Sequence, residues 1–494
     1  MKISKLVCYG AVALAASVVV GAFACQSTSA TGAAGSPAEG NGLTDGKYAP
    51  KGCSFSIAGR DEYKSLAADG PARGTGNAGI RRVRLGLGGN VTPGAGYADA
   101  ATSVAIAWQT DDGDFGTEVR WGTTAEAGSW KAEDVATGIT WLTPQGQLGP
   151  NGDQRMHESY LCGLTPGTKY YYQVRGGAEQ SDVYSFTTAP ADGTTPVRLA
   201  VTGDSRGQHA NAWQILEHRL LGLGLTAQLF SGDMVNLAPS QVEWEQWVDK
   251  AWKDETGKPS ALGQLLMLPT HGNHENHTPL YFGNVVLPQS PEVYPEYLEY
   301  FYSTNLGAVH LVVVDDFSVV SPGTDQNYAS VVKKWLQDDL ALANQNRSKQ
   351  PWVVVMHHHP SYSSSDHGKD ADVLRGRAFF APIWDEGKVD MVFSGHDHDY
   401  ERSLPLTAGA DPNSPKVMSP GQGGTVYLVC AGSGADGYGE SSSYFTGYSG
   451  TFGGETHLGV YGVLEASMTE LCWQPYWIDD AGDTAAEPQT TLTK

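Results

Sequence analysis

The sequence predicts a two-domain chain, an all-β sandwich followed by an α/β domain, and three observations carry that reading. At 494 residues, with 40% apolar content and 13 Trp, the chain exceeds one ordinary domain and can fill more than one core. From Arg82 to about Thr188, short alternating apolar runs are separated by Gly- and Pro-bearing turns with no helical periodicity between them. From Val197 onward, buried apolar runs instead alternate with segments of helical spacing.

The N-terminus comes first in the chain and reads as an export signal over residues 1–24. Lys2 and Lys5 give a positive start, Leu6 to Phe23 are mostly apolar, and Ala22-Phe23-Ala24 is a small-x-small cleavage site. Cys25 follows at once, so the segment also fits a lipoprotein signal with a lipid anchor through Cys25. Both readings place the chain outside the cytoplasm: periplasmic, at the cell surface as a lipoprotein, or secreted. Residues 25–79, rich in Gly, Ala, Ser and Thr, are expected as a flexible linker. No second apolar run of about 18 residues follows to suggest a membrane span.

The sandwich is assigned to residues 80–190, on the runs Ser103 to Trp108, Thr117 to Trp121, Tyr170 to Arg175 and Val183 to Thr188. Pro190 to Pro196 is a short connection. The α/β domain is assigned to 196–478, with β-type runs at Val197–Val201, Ala227–Phe230, Gln264–Leu268, His310–Val314, Trp352–Met356 and Val389–Phe393. Helical segments near 240–253, 327–345 and 372–386 lie between them, and residues 479–494 are left as a C-terminal tail. Cys430 and Cys472 both fall in expected C-terminal strands and are a candidate disulfide pair.

Charge narrows the partners. With 54 Asp+Glu against 32 Lys+Arg, the formal charge of −22 repels nucleic-acid backbones and anionic membranes, so attraction for an anionic substrate must be local. Five polar clusters supply the means, each directly after an apolar run: Thr202-Gly-Asp-Ser-Arg206, Ser231-Gly-Asp-Met234, His271-Gly-Asn-His-Glu275, His357-His-His-Pro360 and Ser394-Gly-His-Asp-His398. Strand carboxyl ends in an open α/β sheet face one crevice, so these loops are expected to converge. Carboxylate and amide oxygens mixed with imidazole suit Zn, Fe or Mn, and a central carboxylate can bridge two such ions about 3.5–4 Å apart.

The ordered set resembles the metallophosphoesterase superfamily, most closely its purple acid phosphatase-like branch with an N-terminal fibronectin type III-like domain. That branch carries GD-x, GD-x-x-Y, GNH-[DE], V-x-x-H and GH-x-H in this order, and the likeness covers about residues 80–478. It implies a β-sandwich catalytic core flanked by helices. It further implies two metal ions, Asp204 and His398 holding the first, Asp233 bridging, and Asn273, His357 and His396 holding the second. His274 would bind substrate or act as general acid, with Glu275 behind the ligands. A hydroxide between the ions would attack phosphorus opposite the leaving group.

Two departures stand out. The branch's Tyr ligand, three residues after the bridging Asp, is Asn236 here, and a superfamily His two residues after the first Asp is Arg206. Arg206 is read either as a bidentate phosphate contact or as a charge that merely neutralises Asp204, and His367 is placed near a substrate-contacting His of the family, with a solvated loop residue as the alternative. His358 and His359 are left between phosphate binding and packing. His271, His310, Asp315 and Asp316 are read as structural.

The expected activity is hydrolysis of small phosphate monoesters, acid phosphatase-like, because Arg206, His274 and His367 would match a dianion. A phosphodiesterase using the same core is the alternative. A non-catalytic binding protein is the third reading, and the intact ligand set argues against it.

Overall fold

The computed structural model describes residues 43–494, apart from 45, 60–65, 69–78, 95–97, 112–113, 144–153, 255, 324, 420, 440 and 454–456. The expected signal peptide and Cys25 lie outside the described residues.

Among the described residues nine strands build the front domain. The path runs from Glu179–Gln180 through Lys169–Gly176, Glu118–Gly122, Val135–Thr143, Gln154–Cys162 and Ser103–Thr110 to Arg81–Gly86. Val135–Thr143 pairs with strands on both sides, so the two halves join into one hydrogen-bonded path. That path folds over on itself. Val104, Ile106 and Trp108 pack against Tyr170, Tyr172 and Val174, four strands away along it. Alternate side chains face alternate sides of a strand, so Ala105 and Ala107 join the opposite cluster with Trp141, Met156 and Tyr160.

Among the described residues two seven-stranded sheets make the α/β domain. The first runs Leu266–Pro269, Ala227–Phe230, Val197–Thr202, Gly459–Ala466, Glu470–Ile478 and on into the C-terminus, its first three strands parallel. The second places Val309–Val314, Trp352–Met356, Met391–Ser394 and Val426–Cys430 in parallel neighbour order. One apolar cluster draws on both sheets, joining Leu199, Val201, Leu229 and Leu268 with Leu311, Val313, Val355 and Phe393. These strands are near-continuous Val and Leu because both of their faces are covered. The helix Ala212–Leu220 covers the outside of the first sheet through Leu216 and Leu220 against Ala200 and Val463. The helix Gln326–Gln345, capped by the Asp325 carboxylate at the Asn327 and Tyr328 N–H groups, packs Trp335 against Phe301. Among the described residues no helix is long and apolar enough to cross a membrane.

Three boundary expectations change. The expected linker joins the folded body from Leu43 on, where short strands at Leu43–Thr44, Lys47–Tyr48 and Ile57–Ala58 form a sheet with Tyr48 and Ile57 fully buried. Cys53 in that segment is bonded to Cys162, while Cys430 and Cys472 are both free thiols. The Cys430 Sγ is instead buried beside the Val201 carbonyl. The expected tail is a sheet edge, Thr490–Thr493 pairing with Glu470–Ile478. Its Glu487 carboxylate takes the Arg402 guanidinium at 2.7 and 2.9 Å.

The front domain buttresses the site from one side. Buried Arg84 donates to the carbonyls of Asn284 (2.7 Å) and Gly283 (2.9 Å), at the end of the short helix that follows the His271–His277 loop.

Glu217, fully buried on the helix Ala212–Leu220, gives a pH test of this packing. Burial pushes its carboxyl up from 4.5 to about 8, against one hydrogen bond from Gln228. Between those values the unfolded chain has lost a proton that the folded chain keeps, so stability falls as pH rises through that window. Glu217→Gln removes the slope. Its melting-temperature advantage should be absent near pH 4 and grow toward pH 8, by at most about 1.4 kcal/mol per pH unit. An advantage that is constant across this range would contradict the assignment.

Candidate metal centre

All five polar clusters meet where the parallel strands of the two sheets end. Close backbone approach is what the glycines permit. A Cβ at Gly395 would collide with the Asp204 carboxylate, and one at Gly272 with the Asp233 carboxylate. Asp204, Asp233 and His396 hold left-handed φ values of 51°, 58° and 72°. Such strained conformations persist where the surroundings enforce them, and they cluster at functional sites. Here the enforcing bonds cross between loops: the Asp204 N–H donates to the Gly232 carbonyl (2.9 Å), and the His396 N–H to Asp204 Oδ1 (3.0 Å).

On one side of Asp233, four donor atoms converge. Asn273 Oδ1 lies 2.9 Å from His358 Nε2 and 3.0 Å from His396 Nδ1, and His358 Nε2 lies 3.3 Å from Asp233 Oδ1. His358 Nδ1 donates to the Ser231 carbonyl at 2.7 Å, which leaves the neutral ring's Nε2 as a lone pair facing two oxygen acceptors. Only a positive charge relieves that arrangement. Burial pulls the His358 ring down, yet the Asp233 carboxylate outweighs it and raises the ring to about 10. Burial raises Asp233 in turn, while His358 and then His274 pull it well below the carboxylate range.

The other side gathers Asp204, Asp233 Oδ2 and His398. His398 Nδ1 donates to the Asp436 carbonyl (2.8 Å), leaving Nε2 toward Asp204 Oδ1 at 3.5 Å. Asp204, Asp233 and His358 bring donor atoms within 4.8 Å of one another. Asp204 Oδ2 and His396 Nε2 are buried without hydrogen-bond partners among the described residues. An orphaned carboxylate oxygen of Asp204, beside converging amide, carboxylate and imidazole atoms whose ring tautomers carbonyls fix at His358 and His398, fits divalent or trivalent first-row metals on both sides of Asp233.

His357, expected as a ligand, is turned away. Its Nδ1 faces Asp316 Oδ2 at 3.1 Å, and its ring stacks on Phe380 and Trp384. His358 faces the centre and His357 the far side, while the His359 ring, held by Asp316, lies 4.4 Å from that of His396 beside the centre. Asp316 sets this register: its carboxylate also takes the His359 N–H (2.6 Å) and Nδ1 (3.0 Å). The only hint of Asp316 in the sequence was its place at the end of an apolar run. Burial raises its carboxyl, but His359 and His357 draw it well below the usual range.

Around this core, Glu275 accepts from the N–H groups of Asp233, Gly272 and Met234 and so fixes the loop that carries Asp233. Burial, then Asp233, pushes it up to about 7. His274 donates from Nδ1 to the Asn236 carbonyl (2.7 Å), with Nε2 3.9 Å from Asp233 Oδ2. The His367 ring lies 4.7 Å from that of His396 and is oriented by Asp370 at 2.8 Å. Arg206 lies against Asp233 Oδ2 (3.3 Å), His398 Nε2 (3.2 Å) and Asn236 Oδ1 (3.3 Å). It lines a cavity of about 470 Å³ with Asn236, Glu243, His398, Asp436 and Tyr438. The Tyr438 ring, unmarked by any motif, stacks on His398 at 4.3 Å. His271, His277 and Asp315 form a separate cluster whose polar atoms bond mainly one another: His277 N–H to His271 Nε2 (2.6 Å), and His277 Nε2 to Asp315 (2.8 Å). His310 is held in the core by Asn305 and Asp339.

Comparison with known proteins places both halves of the chain beside phosphoesterases. Residues 197–400 match the calcineurin-like phosphoesterase family, and residues 95–188 match the purple acid phosphatase N-terminal domain. The chain is 27% identical over 383 residues to an uncharacterized protein of Mycobacterium tuberculosis, covering 68% of each chain. It is 28% identical over 300 residues to a purple acid phosphatase of Glycine max, covering 55% of this chain and 60% of that one. In fold it is similar to a purple acid phosphatase from yellow lupin (Lupinus luteus) seeds. The TM-score is 0.63 at 17% identity, over 84% of this chain and 74% of that one.

Proposed function

We propose that this chain, a metal-dependent phosphoesterase whose calcineurin-like domain follows a purple acid phosphatase N-terminal domain, hydrolyses small phosphate monoesters outside the cytoplasm. The observation that carries the reading is the convergence of Asn273 Oδ1, His358 Nε2, His396 Nδ1 and Asp233 Oδ1, with Asp204 and His398 across the shared carboxylate. Asn273, His358 and His396 would hold one ion, Asp204 and His398 the other, and Asp233 both. When bound, such ions supply Lewis-acid charge for the phosphoryl oxygens and lower the pKa of water to near neutrality.

The chain's own groups do the rest. His274 sits beside the shared carboxylate with Nε2 toward the centre, positioned to protonate a departing alkoxide. Arg206 borders the cavity beside the centre and supplies positive charge for phosphoryl oxygens, which a dianion uses more fully than a diester monoanion, and we assign His367, with its ring against that of His396, to substrate contact. Glu275 and Asp316 position the ligand loops. Export rests on the Lys2 and Lys5 start, the apolar stretch and the small residues before Cys25.

The test is turnover of mono- and bis-nitrophenyl phosphate by metal-stripped protein reloaded with Zn, Fe or Mn. The monoester should win by at least about tenfold in kcat/KM, a difference of about 1.4 kcal/mol in transition-state binding. A diester preference at saturating metal would reverse the substrate assignment.

A further inference from the structure

The two sides of Asp233 differ in one respect that metal chemistry alone does not account for. On the side of Asn273, His358 and His396, no Lys or Arg among the described residues bonds the converging donor atoms. On the other side a guanidinium stands among the donors. Arg206 Nη2 takes the His398 Nε2 lone pair at 3.2 Å, Nε faces Asp233 Oδ2 at 3.3 Å, and Nη1 reaches Asn236 Oδ1 at 3.3 Å. His398 Nε2 and Asp233 Oδ2 are the same atoms that an ion beside Asp204 would need. The third, Asn236, stands where the related branch supplies a Tyr ligand.

We propose that Arg206 is a resident competitor for the ion held by Asp204 and His398, so that the two positions load in sequence and the second loading releases the guanidinium to the substrate cavity. The inference rests on the dinuclear reading above and adds an order of filling to it. The Asn273 side fills first because no Lys or Arg side chain stands among its donors, and a proton on His358 can leave to water where a tethered guanidinium cannot. The Asp204 side fills only when an ion outbids the guanidinium.

The competitor is built to be displaced. Its contacts lie at the long end of hydrogen-bond range, and Nε, though buried, makes no well-aligned hydrogen bond. Released, the side chain already borders the cavity of about 470 Å³, where a phosphoryl group at the centre would meet it. A guanidinium keeps its charge at any working pH, so raising the pH does not remove this competition, as it would for a histidine.

The test is stepwise Zn²⁺ titration of the metal-stripped full-length protein by calorimetry, with bound zinc counted after equilibration against buffered free Zn²⁺. Wild type should bind two ions with dissociation constants separated by at least about tenfold. Arg206→Ala should tighten the weaker step by about tenfold or more and leave the tighter step within about twofold. Arg206→Gln, which keeps most of the side-chain volume, is measured beside it and should behave alike.

Two equally tight ions in wild type, with neither step moved by either substitution, would overturn the competitor while leaving the dinuclear centre standing. Fewer than two ions at saturation in all three proteins would overturn the centre itself, and the order of filling with it.

Discussion

Asp233→Asn should lower kcat/KM by about 10³-fold or more and cut retained metal from two ions to one or none, because this carboxylate faces His358 through Oδ1 and the side of Asp204 and His398 through Oδ2. The substitution is nearly isosteric. Asn tolerates the left-handed φ of 58°, and its side-chain oxygen can still accept the His274 N–H that now bonds Oδ1 at 3.0 Å. What it removes is the charge. Wild-type Asp233 stays ionised although buried, and His358 is held near 10 chiefly against burial by that charge. With a neutral amide, the lone pairs of His358 Nε2 and Asn273 Oδ1 lose the anion that makes their pocket attractive to a cation. Steady-state turnover together with metal analysis decides the matter. Retention of two ions and near-wild-type turnover would mean that Asp233 does not bridge.

Much of this centre could be read from the sequence because its ligands sit beside glycines at the ends of apolar runs, and the order of strands along the chain is also visible as alternation. Asp204, Asp233 and Asn273 each directly follow a glycine, and His396 and His398 bracket one aspartate in a single cluster, so residue type and position leave little choice there. The three consecutive histidines are different. Composition is identical at 357, 358 and 359, and a shift of one residue reverses the face. The deciding partner, Asp316, is brought alongside only when Val309–Val314 pairs in parallel with Trp352–Met356. The same dependence on distant partners hid the disulfide. Cys53 lies in a stretch whose Gly, Ser and Thr content reads as linker, yet Cys162 is 109 residues away in sequence and bonded to it. The C-terminal strand Thr490–Thr493 has little apolar content to announce it, and its order comes from backbone pairing with Glu470–Ile478.

The register of the histidine run yields the sharpest separation between neighbouring substitutions. His358→Ala removes a donor atom from the Asn273 side of the centre, and a loss of about 10²- to 10³-fold in kcat/KM with one fewer bound ion is expected. His357→Ala should keep both ions, because its ring faces Asp316, Phe380 and Trp384 on the far side of the segment. Its cost falls on stability instead, about 1–3 kcal/mol for a lost buried hydrogen bond and the space left under the helix Ala371–Glu386. Activity should fall by no more than about tenfold to a hundredfold, the range for groups that orient ligands without touching the ion, since Asp316 still grips His359. Metal content and melting temperature should therefore move in opposite patterns for two adjacent residues of the same type. If His357→Ala lost the ion and His358→Ala kept it, the alternation set by Asp316 would be inverted in solution, and the order of donors around Asp233 would have to be rebuilt from the expectation that the sequence alone suggested.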